Sequence, residues 1–130
     1  MIKKYIKQNL YITPHFNLLE FACKDGNNEI YLDNELCYQL ENVRKYFNKP
    51  IKILSGYRTK VYNEKINGAK NSYHCMGLAV DFKIDGVNTL LIGLVASRFF
   101  NGTIIYKDFV HCDLRDNLYK QIEKEAYNGE

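Results

Sequence analysis

The sequence predicts an α+β fold, a small and mostly antiparallel sheet with two main helices packed on it. Three observations carry this. Short apolar runs recur at residues 51–54, 79–84, 103–106 and 109–114, each of strand length. Turn chemistry separates them, at Ser55-Gly56, Asp85-Gly86, Asn101-Gly102 and Lys107-Asp108, and such turns favour antiparallel neighbours. Two longer stretches instead repeat their apolar residues at helical spacing, as an amphipathic helix does.

The elements follow in order. Residues 1–13 read as an arm or a short edge strand, 14–117 as the main domain, and 118–130 as a polar tail or loose helix. After Pro14, Asn17 and Glu20 have the spacing of a capping box for a short helical turn. His15, a lone polar residue beside aromatics, reads as structural. Residues 24–28 form a turn and 29–32 a short strand. Asp33 caps a helix whose Leu36, Leu40, Val43 and Phe47 share one face, and the helix ends near Asn48, ahead of Pro50. Strand 51–54 follows, then Arg58 on a loop, then a helix over 60–66 capped by Thr59. Residues 67–72 are a polar loop and 79–84 a strand. The second core helix covers 89–99, with Leu91, Leu94, Val95 and Phe99 as its buried face. Strands 103–106 and 109–114 pair across Lys107-Asp108.

Composition narrows the function classes. The chain has 130 residues, 46% of them hydrophobic, which suits one packed domain. A net charge of +3 falls short of the basic patches of a nucleic-acid binder and suits an anionic polymer. No apolar run approaches the ~20 residues of a membrane span. The basic first ten residues lead into no apolar segment, so no secretory signal is expected. Cys23, Cys37, Cys75 and Cys112 form no C-x-x-C pair, so free thiols are expected rather than a structural zinc knuckle.

The chemistry concentrates in residues 55–113. An open catalytic zinc site takes three N/O ligands and leaves a position for water. His74, Asp81 and His111 can supply the ligands, and Asp108 can move the proton. Singly, each is more often structural; the set of four points to a metal hydrolase. Cys112 neighbours His111 in a strand and so points to the opposite face, which favours packing over ligation. Cys75 stays open. Asp113 either orients a ligand or pins a turn through Arg115. Tyr57, Tyr62, Tyr73 and Tyr106 are expected to be half-buried packing residues near the site.

Ser55-Gly56-Tyr57-Arg58, Ser72-x-His74 with Gly77-x-Ala79-x-Asp81, and Asp108-Phe109-Val110-His111-x-Asp113 together resemble peptidase family M15. That family comprises zinc D-Ala-D-Ala carboxypeptidases and peptidoglycan endopeptidases, and the likeness is to its short single-domain form. The likeness runs over roughly residues 14–115. It implies a hedgehog/DD-peptidase-like fold and one catalytic zinc on His74, Asp81 and His111. It implies Asp108 as general base and acid, although many relatives carry Glu there. It implies Arg58 as the cation for the reacting substrate and Ser72 as a substrate contact. The implied partner is the peptidoglycan stem peptide, cut at a terminal D-Ala or internally; a monomer is expected. Without a signal peptide the chain resembles a phage or prophage lysin, made in the bacterial or phage-infected cytoplasm and acting on the cell wall. The alternatives are a non-catalytic zinc module that binds cell wall or a protein, and a structural domain without metal.

Overall fold

A computed structural model describes residues 1–123. Its strands are β1 (Ile2–Ile6), β2 (Tyr11–Thr13), β3 (Phe16–Asn17), β4 (Glu29–Asp33), β5 (Lys52–Ser55), β6 (Ala79–Lys83), β7 (Gly102–Ile105), β8 (Val110–Asp113) and β9 (Tyr119–Ile122). Its α-helices are α1 (Glu35–Phe47), α2 (Lys60–Lys65) and α3 (Thr89–Ala96). The main sheet has five strands in the order β5-β6-β8-β7-β9. All its pairings are antiparallel except β7 with β9. Two small sheets, β1-β4 and β2-β3, complete the α+β architecture.

Local chemistry accounts for most of these elements. The expected capping box is present: Asn17 accepts from the Leu19 amide, and the Glu20 carboxylate accepts from the Asn17 amide at 2.8 Å. The Asp33 carboxylate accepts from the Glu35 amide at 3.0 Å, at the start of α1. Asn48 closes α1 in the left-handed conformation (φ 53°), which Asn tolerates better than most residues. Thr59 caps α2 by accepting from the Tyr62 amide. His15 donates its backbone amide to Glu41 and places its ring 2.7 Å from the same carboxylate, a structural tie between β2-β3 and α1.

The two-residue period of the central strands divides their side chains. Val80 and Phe82 of β6, with Val110 and Cys112 of β8, lie fully buried in the hydrophobic core against Leu36, Leu40 and Ile92. Asp81, His111 and Asp113 alternate with them and so project to the other face. The sheet is therefore a partition, with core on one side and the polar cluster on the other.

Two expectations change. The buried face of α3 is Ile92, Val95 and Ala96, while Leu91 and Leu94 are exposed. The helix is apolar nearly all round, so spacing alone does not choose its inner face. The stretch after Leu118 is not helical where described: Tyr119–Ile122 forms β9, parallel to β7. Residues 124–130 of the expected tail lie outside the described residues. At the other end, of the two readings of residues 1–13 the edge strand holds: Ile2–Ile6 is paired along its whole length with β4.

Gly77 links this frame to the site. It follows the short 3-10 helix Tyr73–Met76 with φ +79°, and its carbonyl accepts from the Asp33 amide at 2.9 Å. A Cβ there would lie 2.4 Å from the Tyr31 carbonyl oxygen. Gly77→Ala therefore combines left-handed strain with a backbone clash, and is expected to cost about 2 kcal/mol or more. Thermal unfolding checks this; an unchanged midpoint would contradict it.

Candidate metal site

Register builds the site. In the β6–β8 ladder Asp81 lies directly opposite His111, and Ala79 opposite Asp113. Directly opposed residues hold their Cβ atoms about 5 Å apart, within reach of one ion. His74 comes from the 3-10 helix Tyr73–Met76, where the Ser72 hydroxyl accepts from the His74 amide at 3.2 Å. One ligand atom from each of His74, Asp81 and His111 lies within 4.8 Å of the others.

The hydrogen bonds fix which atoms face inward. The Gly56 carbonyl can only accept, so the His74 Nδ1–H donates to it at 2.8 Å. His74 Nε2 is thereby turned toward Asp81 Oδ1, 3.1 Å away. His111 Nε2 lies 2.7 Å from Asp113 Oδ2 and its Nδ1 lies 2.9 Å from Asp81 Oδ1. Two imidazole nitrogens thus converge on one carboxylate oxygen. Without a metal, protons on these nitrogens bridge them to the carboxylate; with the protons displaced, the N, O, N donor set fits zinc.

Charge around the cluster is balanced by two arginines. Arg58 donates through Nε to Ser55 Oγ (3.0 Å), through Nη1 to Asn63 Oδ1 (3.2 Å) and through Nη2 to Asp81 Oδ2 (3.1 Å). It thus occupies the Asp81 oxygen that the histidines leave free. Arg115 grips Asp113 through Nε (2.8 Å) and Nη2 (2.7 Å). Asp113, fully buried, touches His111 and Arg115 together, so both contacts expected of it are present. Gly102 makes room for it: a Cβ at 102 would lie 2.0 Å from Asp113 Oδ1.

These contacts set the protonation of the metal-free cluster. Burial would raise the Asp81 carboxyl, but hydrogen bonds from His111 and His74 outweigh it and hold the group well below the usual range. Burial likewise opposes ionisation of Asp113, and the Arg115 and His111 hydrogen bonds overcome it. Burial would lower His111, yet its hydrogen bonds to Asp113 and Asp81 raise it from 6.5 to about 8.

A cavity of about 420 Å³ opens over the cluster, lined by His74, Asp81, His111, Arg58, Tyr106 and Arg115, with the 67–72 loop as its rim. Asn63 organises that loop. It is buried, donates to the Ala69 carbonyl at 3.0 Å and accepts from Arg58. Ser72 lines the same cavity. Asp108 does not line it: it is exposed on the turn between β7 and β8. Tyr106 and Phe109 stack across that turn, with centroids 4.5 Å apart, and line the cavity in its place. Cys112 is buried in the core, on the face away from His111. Cys75 borders a neighbouring cavity and is not part of the cluster.

The structure adds residues that sequence reasoning did not place at the site. Asn63 carries no motif signal, and Gly56 lies within the Ser55–Arg58 motif without any sign that its carbonyl would orient His74. Arg115 was visible through its spacing from Asp113, but not as part of the cavity wall.

The model of the family described as Peptidase M15 matches residues 14–113. The probable peptidoglycan L,D-endopeptidase MepK of Haemophilus influenzae is 30% identical over 108 residues, which cover 73% of this chain and 58% of that protein. The peptidoglycan L,D-endopeptidase MepK of Escherichia coli K12 is 31% identical over 119 residues, covering 84% of this chain and 63% of that protein. The chain thus spans about 58% to 63% of the length of these relatives.

The pH dependence of metal-free protein tests the cluster. The raised His111 stabilises the fold below pH 6.5, and that contribution is lost as pH rises through about 8. The lowered Asp81 and Asp113 act oppositely, stabilising above their ordinary 3.8 and losing this as pH falls further. Chelator-treated protein should therefore lose stability between pH 6.5 and 9, by on the order of 2 kcal/mol. Denaturant unfolding at the two pH values reads it, and a flat profile would contradict the His111 contacts.

Proposed function

The chain belongs to the peptidase M15 family, and from that premise we propose that it is a zinc-dependent hydrolase of peptidoglycan stem peptides. The observation that carries the reading is the convergence of His74, Asp81 and His111 at the floor of an open cavity. The relatives named as L,D-endopeptidases favour internal cleavage over removal of a terminal D-Ala.

In this reading His74 Nε2, Asp81 Oδ1 and His111 Nδ1 would hold the ion. A zinc ion bound there would supply Lewis acidity for activating water and the scissile carbonyl. The protein's own groups do the rest. Gly56 and Asp113 hold the two rings in orientation, as outer partners of metal-binding histidines do. Arg58 keeps Asp81 ionised from its far oxygen and presents its charge to the cavity, where negative charge develops on the substrate. Ser72 sets the His74 backbone and offers an edge for substrate contact.

Proton transfer is assigned to Asp108, which reaches the cavity only if the 107–108 turn swings inward when substrate binds. Asp108→Ala is the test. Retained zinc with turnover lowered at least about 100-fold supports the assignment; unchanged turnover assigns the proton to another group. The exposed position of Asp108 favours one second reading, a non-catalytic zinc module that binds cell wall.

Digestion of purified peptidoglycan, with mass spectrometry of the fragments, separates the readings. The expected result is a new amino terminus within the stem peptide, lost with chelator and restored by zinc. His74→Ala should abolish it. Free D-Ala alone would make the chain a carboxypeptidase. Binding of the wall by zinc-loaded protein without cleavage would favour the module.

A further inference from the structure

We propose that Arg115 is a specificity-determining residue that reads a free carboxylate on the substrate peptide; this rests on the peptidase reading above. Arg115 lines the same cavity as His74, Asp81 and His111. Its Nε and Nη2 edge is committed to Asp113, and its backbone amide also donates to Asp113 Oδ1, at 3.1 Å. The guanidinium carbon lies 4.7 Å from the Tyr73 ring centroid and 4.5 Å from that of Tyr119. The group is thus fixed in place before any ligand arrives, and fixing a donor in advance cuts the entropy lost on binding.

A guanidinium has five N–H donors in a planar fork. Asp113 takes the side edge, and among the described residues Nη1 makes no hydrogen bond. The Nη1–Nη2 end therefore remains for a second planar anion, and a carboxylate matches that fork. Arg58 differs, because all three of its side-chain nitrogens already have protein partners.

Charge in the cavity points the same way. Arg58, Lys70 and Arg115 line it, against Asp81 as the acidic residue in its wall. Arg58 and Asp81 neutralise each other, and Asp113 offsets Arg115 from beneath. Lys70 and any bound cation leave the surface positive. Because Asp113 Oδ2 contacts both His111 Nε2 and Arg115 Nη2, at 2.7 Å each, Arg115 stands next to the ligand cluster. The carboxylate it reads therefore belongs to a residue close to the scissile bond. In a stem peptide that carboxylate is either the terminal one or one carried by an acidic residue within the stem.

Synthetic stem peptides with each carboxylate in turn free or amidated test this. For zinc-loaded wild type, amidation of one carboxylate should lower kcat/KM at least about tenfold, chiefly through KM. Which amide is cut more slowly identifies the source. In Arg115→Gln the ratio of acid to amide should fall to within about twofold, and in Arg115→Lys part of it should return. A residue that only braced Asp113 would lower both substrates alike and leave the ratio intact. That result, or a wild type indifferent to every amide, overturns the role of Arg115 and leaves the peptidase reading standing. Calorimetric titration of the same peptides separates the two claims. A wild type that cuts none of them but binds the acid at least about tenfold more tightly than its amide, a difference lost in Arg115→Gln, sustains Arg115 and overturns the peptidase reading.

Discussion

The register of one strand pair governs the site. Asp81 faces His111 across the β6–β8 ladder, and a slip of one residue would send every side chain of a strand to the opposite face. Val80 and Phe82 on one strand, and Val110 and Cys112 on the other, forbid that slip because each is fully buried in the core. The hydrophobic face thus fixes the polar one. His74 then arrives from outside the sheet, set by the Ser72 cap and the Gly56 carbonyl.

Such a cluster concentrates charge in a poorly solvated place, and unpaired buried charge is costly. The fold answers with pairing at each oxygen. Asp81 gives one oxygen to Arg58 and the other to the two histidines. Asp113 is shared between His111 and Arg115. Breaking either pair leaves an uncompensated charge. The arginines therefore belong to the stability of the site as well as to its chemistry. β9 extends this support, since Tyr119 at its start lies against the Arg115 guanidinium.

Much of this was legible in the sequence. Alternation along β6 and β8 predicted both strands and placed His111 and Asp113 on a common face. Asn17 and Thr59 announced their caps by residue type and spacing. What stayed hidden was set by tertiary context. α3 is apolar on too many sides for periodicity to separate buried Ile92 from exposed Leu94. β9 is a polar, largely exposed edge strand, held through backbone pairing with β7, which leaves little trace in side-chain pattern. The position of Asp108 depends on the tight turn that stacks Tyr106 on Phe109, and motif spacing says nothing of which way such a turn points. Asn63 acts through the shape of the 67–72 loop, again a property of the folded chain.

The central claim is that His74, Asp81 and His111 form one metal centre, and native mass spectrometry of zinc-loaded protein tests it most directly. One zinc per chain is expected in the wild type, with loss of that ion in Asp81→Ala while the fold, followed by circular dichroism, persists. A folded wild type that takes up no zinc, or an Asp81→Ala variant that holds the ion as the wild type does, would contradict the account.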